Sequence, residues 1–310
     1  MPEERRALVT LLDRAIVRAL PAVPRNIVRR LSSRYIAGST LAEATEVVRQ
    51  LNEQGRDATL DVLGEEVALR EEAVGLRDAY RRALETIHGE ALRSTVSVKL
   101  TALGLKLDSR LCRDNLTSLV AEAARYGNFV RIDMEDSSTT SETLSLYRAL
   151  REEGHENVGV VLQAALKRTL ADIAALSDLQ PNVRICKGIY VEPAEIAYQE
   201  DETIRSNYLD AVEALLDAGS YVGIATHDDW LIGESLALIE ARGLTPDDYE
   251  FQMLLGVRPE LGDELVREGH RLRVYVPFGR RWYEYSVRRL QENPKLAGYV
   301  AMDTLKRLRP

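Results

Sequence analysis

Polar side chains directly follow a series of short apolar segments along most of this chain. They are Lys99, Asp133 with Glu135, Gln163, Lys187, His227 with Asp228, Gln252 and Tyr275. Turn-forming residues such as Gly, Asn, Asp and Ser are the usual ones at the ends of strands, so recurrent Lys, Gln and Tyr favour a functional site. A lysine in such a site could form a Schiff base if its pKa were lowered, could pair with a nearby carboxylate, or could hold an anionic cofactor.

A second group of candidate residues lies on the helix predicted from about Trp282 to Asn293. Tyr285, Arg288, Arg289 and Glu292 are spaced i, i+3, i+4 and i+7, so they share one helix face. Two adjacent guanidinium groups suit a small carboxylate, because arginine presents a planar fork to both oxygens. A solvated face with a Glu–Arg pair is the alternative interpretation.

The arrangement of strands and helices explains how these residues could meet. Eight apolar segments of strand length are mostly separated by helical segments: Ala58–Gly64, Thr95–Leu100, Phe129–Met134, Gly159–Leu162, Val183–Cys186, Tyr221–Ala225, Tyr249–Leu254 and Leu272–Val276. Eight strand–helix units over roughly 250 residues predict a (β/α)8 barrel, whose chemistry collects at the carboxyl ends of the strands. A doubly wound sheet is the main competitor, but the Gly-rich phosphate loop that usually follows its first strand does not occur in this sequence.

Composition and charge exclude several functional classes. The 310 residues carry a net charge of −8 and the pI is about 5.3, which argues against a general nucleic-acid binder. The two cysteines, Cys112 and Cys186, form no disulfide framework and fit a reduced cytosolic setting. No stretch approaches the roughly 20 apolar residues of a membrane span.

The first part of the chain differs from the remainder in its charge. Residues 1–39 are predicted to form a short helical segment, and residues 40–310 the barrel domain. Eight arginines between Arg5 and Arg34 outnumber the acidic residues there. A basic amphipathic segment can lie on an anionic membrane surface, or it can dock on the barrel.

Two smaller motifs have structural alternatives. His227 is followed by two acidic residues, but the other histidines fall in predicted helices or loops, so we expect no metal site. Asp136, which follows the third strand, is expected to cap a helix N-terminus.

The strand-end motifs together also carry a resemblance. They are Ser97–Thr101, Arg131–Asp136, Val161–Gln163, Arg184–Pro193, Ala225–Asp228, Glu250–Gln252 and Tyr275–Asn293. In this order, the motifs resemble the proline dehydrogenase family, and within it the short monofunctional bacterial enzymes. The resemblance runs from about Leu60 to Asn293, and it depends on the combination rather than on any single motif.

This resemblance implies a distorted (β/α)8 barrel that binds FAD, with the last helix over the barrel mouth. The positions that match proline-binding residues are Lys99, Leu254, Tyr275, Tyr285, Arg288, Arg289 and Glu292, with the two arginines gripping the carboxylate. Asp133 and Arg184 match active-site positions. The matches to FAD contacts are Met134, Gln163, Arg184, Lys187, Gly188, Ile189, Thr226 and His227. Glu65 matches a glutamate that pairs with the first arginine and gates the site.

The expected activity is FAD-dependent oxidation of L-proline to (S)-1-pyrroline-5-carboxylate, with electrons passed to a membrane quinone. Ala165, Ile189 and Leu255 depart from the residues usual in the family, in the flavin and substrate pockets. Three alternatives stay open: a flavin barrel acting on another small cyclic amine or imino acid, a Schiff-base aldolase-type barrel, and a barrel that serves only as a partner-binding scaffold.

Overall fold

Eight parallel strands close into a barrel in chain order, and β1 pairs with both β2 and β8. The computed structural model describes residues 34–283 together with Tyr285 and Ser286. The strands are β1 Asp57–Val62, β2 Ser94–Val98, β3 Val130–Ile132, β4 Val158–Gln163, β5 Asn182–Cys186, β6 Tyr221–Ala225, β7 Tyr249–Leu254 and β8 Leu272–Phe278. The predicted barrel is therefore confirmed.

Helices connect successive strands along the outside of the barrel. Those that the structure delimits are α1 Leu41–Glu53, α2 Arg70–Gly89, α3 Ser109–Arg125, α4 Ser137–Glu152, α5 Thr169–Leu176, α6 Asp201–Asp217, α7 Asp229–Arg242 and α8 Pro259–Arg267. Thr40 begins α1 with a capping box that includes Glu43. The predicted cap at Asp136 is confirmed, since its side chain accepts a hydrogen bond from the Ser138 amide. No described helix is long and apolar enough to cross a membrane.

The apolar core lies between the strands and the helices rather than inside the barrel. Alternate strand residues such as Leu60, Val98 and Ile132 are fully buried in one apolar cluster. Many of the intervening residues are polar, and their side chains meet across the lumen: Arg184 of β5 reaches Asp133, which follows β3. Barrel interiors are usually filled by bulky aliphatic side chains, so the polar lumen is the unusual feature of this molecule.

Two glycines give the lumen room for large polar side chains. A Cβ atom on Gly159 of β4 would lie 2.5 Å from the Arg131 Nη1 atom. A Cβ atom on Gly223 of β6 would lie 2.5 Å from the Gln252 Nε2 atom. Both separations are too short for ordinary packing. Only glycine fits at these positions, because long polar side chains from neighbouring strands lie directly against them.

The predicted end of the last strand is wrong, because β8 continues through Pro277 to Phe278. Proline lacks an amide hydrogen, but its carbonyl still accepts a hydrogen bond, here from Ala37 at 2.9 Å. The Phe278 carbonyl likewise accepts from the Leu63 amide at 2.8 Å. The helix predicted after this strand begins within the described residues, since Trp282, Tyr283, Tyr285 and Ser286 are helical. The predicted helices before residue 34 lie outside them.

Candidate active site

Five side chains from five strands converge in the lumen near the carboxyl ends of the strands. Asp61 comes from β1, Lys99 and Asp133 follow β2 and β3, and Arg184 and Tyr275 come from β5 and β8. We call these five residues the mouth cluster. Asp61, Lys99, Asp133 and Arg184 are all less than 9% exposed, so their charges must be balanced within the protein.

Asp133 is the centre of the mouth cluster. Its Oδ1 atom accepts hydrogen bonds from Arg184 Nη1 at 2.7 Å and from the Ser97 hydroxyl at 2.5 Å. Its Oδ2 atom accepts from the Tyr275 hydroxyl at 2.7 Å. Burial opposes ionisation of Asp133, but Arg184 and Lys99 outweigh it, so its pKa lies below the usual value. A carboxylate with both oxygens occupied suits the orientation of neighbours better than proton abstraction.

Lys99 is held on one side by Asp61. Its Nζ atom lies 3.0 and 2.9 Å from the two carboxylate oxygens of Asp61. Burial alone would lower the pKa of Lys99, but Asp61 and Asp133 raise it well above the ordinary value. Lys99 is therefore an ammonium group. A Schiff-base nucleophile needs a lowered lysine pKa, so this environment disfavours the aldolase-type alternative.

Tyr275 links the two halves of the mouth cluster. Its hydroxyl donates to Asp133 and accepts from Lys99 Nζ at 3.2 Å. The Arg184 Cζ atom lies 5.3 Å from its ring centroid, within cation–π range. Burial of the hydroxyl, followed by the nearby carboxylates of Asp133 and Asp61, raises the pKa of Tyr275 well above its ordinary value. The phenol is therefore neutral and presents a fixed hydrogen-bonding group.

Apart from Arg184, which belongs to the mouth cluster, the residues matched to FAD contacts lie along one arc of the barrel mouth, from β3 to β6. Met134, Gln163, Lys187, Gly188, Ile189, Thr226 and His227 lie at or just after the ends of β3, β4, β5 and β6. Gln163 is buried and its Nε2 atom donates to the carbonyls of Met134 and Glu135 at 3.3 and 3.1 Å. His227 accepts at Nε2 from the Leu254 amide at 3.0 Å, so that nitrogen carries no proton.

Lys187 is tethered at the edge of this arc. Its Nζ atom lies 2.5 Å from Asp228 Oδ2, which also accepts from Arg205 Nε at 2.7 Å. Burial opposes ionisation of Asp228, but the hydrogen bonds from Lys187 and Arg205 prevail and lower its pKa to about 2. Lys187 therefore presents a positive charge at the rim, with a third of its side chain exposed.

Comparison with protein-family models gives a match over residues 44–301, and the matching model is that of proline dehydrogenase. The chain belongs to the proline dehydrogenase family. This confirms the family that the strand-end motifs resemble.

Individual relatives agree with the family assignment. A proline dehydrogenase of Deinococcus radiodurans is 38% identical over 306 residues, which cover 97% of this chain and 98% of that protein. Proline dehydrogenase 1 of Bacillus subtilis is 39% identical over 274 residues, or 88% and 90% of the two chains. The similarity therefore extends over whole proteins rather than over one shared segment.

A solved structure supports the fold independently. The chain resembles proline utilization A from Bdellovibrio bacteriovorus, inactivated by N-propargylglycine, with a TM-score of 0.80 and 24% sequence identity. The match covers 87% of this chain but only 34% of that larger protein. At this identity the likeness bears on the fold alone.

Other residues that the family resemblance assigns are only partly described. Glu65 lies at the mouth, with Oε1 3.9 Å from Lys99 Nζ, but Arg288, its expected gate partner, lies outside the described residues. So do Arg289 and Glu292. Tyr285 is buried beside Ile36 and Leu63, and Leu254 ends β7 next to His227. The division of the chain at residue 39 stays a prediction.

Sequence reasoning missed Asp61, which belongs to the mouth cluster, and Ser97 and Tyr80, which donate hydrogen bonds to its carboxylates. The Tyr80 hydroxyl of α2 donates to Asp61 Oδ1 at 3.1 Å. An alternation signal was present, because Asp61 lies between the apolar Leu60 and Val62 and so faces the lumen. Asp61 is not one of the polar residues that follow a strand, because it lies inside β1.

Proposed function

We propose that this chain oxidises L-proline to (S)-1-pyrroline-5-carboxylate with a bound FAD and passes the electrons to a quinone. The relatives that cover nearly the whole chain are named proline dehydrogenases. The observation that carries the proposal is the division of the barrel mouth into two arcs. The FAD-matched residues occupy β3 to β6, whereas Leu254, Tyr275 and Lys99 lie on or after β7, β8 and β2.

The arc from β3 to β6 suits a large anionic cofactor. Lys187 offers a positive charge at the rim, and Ile189 is 44% exposed although it is apolar. Gly188 has a φ of +103°, and a Cβ atom there would lie 3.2 Å from the Ala165 Cβ, so only glycine fits comfortably. Bound FAD would supply the hydride acceptor, which no amino-acid side chain provides.

The other arc would bind and orient the substrate. Arg288 and Arg289 would hold the proline carboxylate in a bidentate fashion. Lys99 is a resident ammonium beside the site, so its charge disfavours the protonated form of the substrate amine and assists loss of that proton. Asp133 would hold Arg184 and Tyr275 in place, and Tyr275 with Tyr285 would position the ring. Glu65 would gate entry by pairing with Arg288.

The decisive experiment is an anaerobic titration of the FAD-reconstituted protein with L-proline, followed by flavin absorbance. We expect about one FAD per chain, with bleaching by L-proline and not by D-proline. Absence of flavin absorbance, or a flavin that L-proline does not bleach, rejects the proposal. A colourless protein that borohydride traps with its substrate would instead support the aldolase-type barrel, and faster bleaching by another cyclic amine would reassign the substrate.

The electron acceptor connects the proposal with the arginine-rich start of the chain. A quinone resides in the membrane, so we infer a cytoplasmic protein that makes weak peripheral contact at the inner membrane face through residues 1–39, which lie mostly outside the described residues. Flotation with anionic vesicles should be salt-sensitive and should weaken when residues 1–19 are deleted. Unchanged flotation after this deletion rejects the membrane role of the segment.

A further inference from the structure

The opposite end of the barrel lumen contains a second polar space. A cavity of about 210 Å³ is lined by Thr59, Thr95, Phe129, Arg131, Asn182, Arg184, Tyr221, Glu250, Gln252 and Arg273. We call it the basal cavity, because most of these residues lie at the beginnings of the strands. Asn182, Tyr221 and Arg273 are partly exposed, so it opens toward solvent at the base. Its volume is far above the roughly 15 Å³ that one water needs, and its lining is polar, so it is no packing void.

Arg131 brings a buried positive charge into this cavity, which the nearby carboxylate of Glu250 attracts without forming an ion pair with it. Arg131 is 4% exposed, and its hydrogen-bond acceptors among the described residues are neutral: Nη1 donates to the carbonyls of Val160 and Asn182 at 3.0 and 2.6 Å, and Nη2 donates to the Asn182 side chain. Burial, followed by the proximity of Arg184, lowers the pKa of Arg131 to about 9. Buried charges are normally paired, and among the described residues Arg131 pairs with no carboxylate.

Hydrogen-bond donors exceed acceptors in the basal cavity. Each guanidinium has five N–H groups. Arg131 uses three of them, which leaves two. Arg184 uses Nε on Gln252 and Nη1 on Asp133 and Ser97, which leaves its Nη2 atom without a partner among the described residues. Against these donors stands one orphan acceptor, Glu250 Oε2, since Glu250 Oε1 already receives Arg273 and Gln252.

We propose that the basal cavity binds a small carboxylate that carries a hydrogen-bond donor beside the carboxylate, as α-hydroxy and α-amino acids do. The carboxylate would accept from the spare N–H groups of Arg131 and Arg184, as planar forks bind both oxygens of such a group. The adjacent hydroxyl or ammonium would donate to Glu250 Oε2. The carboxylate of this ligand balances the charge of Arg131 and its donor satisfies the orphan oxygen, whereas a simple inorganic anion leaves that oxygen unpaired and repels it.

The site is separate from the barrel mouth, although Arg184 touches both. The basal residues Thr59 and Thr95 lie two positions before Asp61 and Ser97 on the same strands, and their hydroxyls bond to each other at 3.0 Å. Thr95 is therefore the position for a selective test, because its side chain lines the basal cavity and takes no part in the mouth cluster. Thr95→Phe fills the cavity, and Thr95→Ser is the matched control that keeps the hydroxyl and the space.

The test is a calorimetric titration of the FAD-loaded protein with glycolate, in a buffer without competing carboxylates. We expect two sites per wild-type chain, one at the substrate clamp and one at the base. Thr95→Phe should lose one site and Thr95→Ser should keep both. Arg289→Met should lose the other site. The two variants test the two sites separately, so the result at the base does not depend on whether the proposed clamp is correct. Acetate, which lacks the donor, should bind the basal site about tenfold more weakly.

Equal numbers of glycolate sites in Thr95→Phe and Thr95→Ser overturn the proposal. If Thr95→Phe fails to fold, a crystal structure of the wild-type protein soaked in glycolate decides the question. Density for glycolate between Arg131 and Glu250 supports the basal site, and a cavity that contains only water rejects it.

Discussion

The two ends of the barrel lumen are both lined by charged side chains, but they balance those charges differently. At the mouth, Lys99 meets Asp61 and Arg184 meets Asp133, and Tyr275 ties the two pairs together. At the base, among the described residues, only Arg273 forms an ion pair with a fully buried carboxylate, that of Glu250, while Arg131 bonds to carbonyls and an amide. The comparison indicates that the mouth is preorganised without a ligand, whereas the base retains unused donors.

The largest effect on stability is expected when one charge of a buried ion pair at the mouth is removed. Asp61→Asn leaves the Lys99 ammonium without its nearest counter-charge, which should lower the free energy of unfolding by about 3–5 kcal/mol. Denaturant unfolding measures this difference. Asp178→Asn is a surface control, because Asp178 pairs with Arg148 at 62% side-chain exposure, and solvent screening should leave the free energy of unfolding nearly unchanged.

A second change tells whether Asp61 acts through Lys99. In the double variant Asp61→Asn with Lys99→Met no ammonium is left to balance, so part of the lost stability should return. Additive losses would show that the pairing of Lys99 with Asp61 does not account for the cost.

Removal of a charge that we propose to bind the substrate should affect activity rather than stability. Arg289→Met leaves the bound proline carboxylate without its clamp, a loss on the order of 3 kcal/mol or more than a hundredfold in kcat/KM, expressed mainly as a raised KM. FAD content should stay normal, since the residues proposed to bind FAD lie on the other arc. Arg289→Lys should recover only part of the activity, because an ammonium lacks the planar fork. A wild-type KM in Arg289→Met restores the solvated-face interpretation.

The buried ion pair of Arg273 with Glu250 at the base should contribute less to stability, and its contribution should depend on pH. Burial opposes ionisation of Glu250, but Arg273 outweighs it and holds the pKa below the ordinary 4.5. The charged form therefore stabilises the fold above that value, and the stabilisation is lost as pH falls through the folded-state pKa. Glu250→Gln should lower the unfolding free energy by about 1–3 kcal/mol at neutral pH, with unchanged kcat. The difference from wild type should shrink below about pH 4.5; a constant difference there contradicts the assignment.

The smallest expected effect concerns the hydroxyl that joins the two mouth pairs. Tyr275→Phe keeps the ring but removes its bonds to Asp133 and Lys99, which should reduce the rate of flavin reduction by proline about tenfold. Stopped-flow absorbance measures this rate. FAD affinity should not change, and a loss of bound FAD would show that the two arcs are not independent.

Sequence reasoning predicted the barrel and the outline of its mouth because both depend on local patterns. Eight apolar segments in alternation with helices suffice for the barrel, and Lys99, Asp133 and Gln163 are conspicuous because they follow apolar residues directly. Pro277 misled the prediction, since a proline at a strand end is usually a terminator and here its carbonyl still pairs.

The pairings and the basal cavity could not be predicted in this way. Alternation along β1 shows that Asp61 points inward. Its partner Lys99 is 38 residues away, and the register of β1 against β2 determines that the two residues meet. The space beside Arg131 depends on Gly159 of a different strand. Such features follow from side-chain reach across a closed lumen, which no single segment contains.

The polar lumen also has a consequence for how the chain folds. The bond from Tyr275 to Asp133 joins residues 142 apart, and Arg273 reaches the carbonyl of Ala58 over 215 residues. Until β8 docks beside β1, the Asp133 oxygen and the Arg273 guanidinium remain in water, and loop closure must precede any gain from these bonds. Addition of the last strand should therefore be a late, slow and highly cooperative step, and a fragment that ends before β8 should not form a stable barrel.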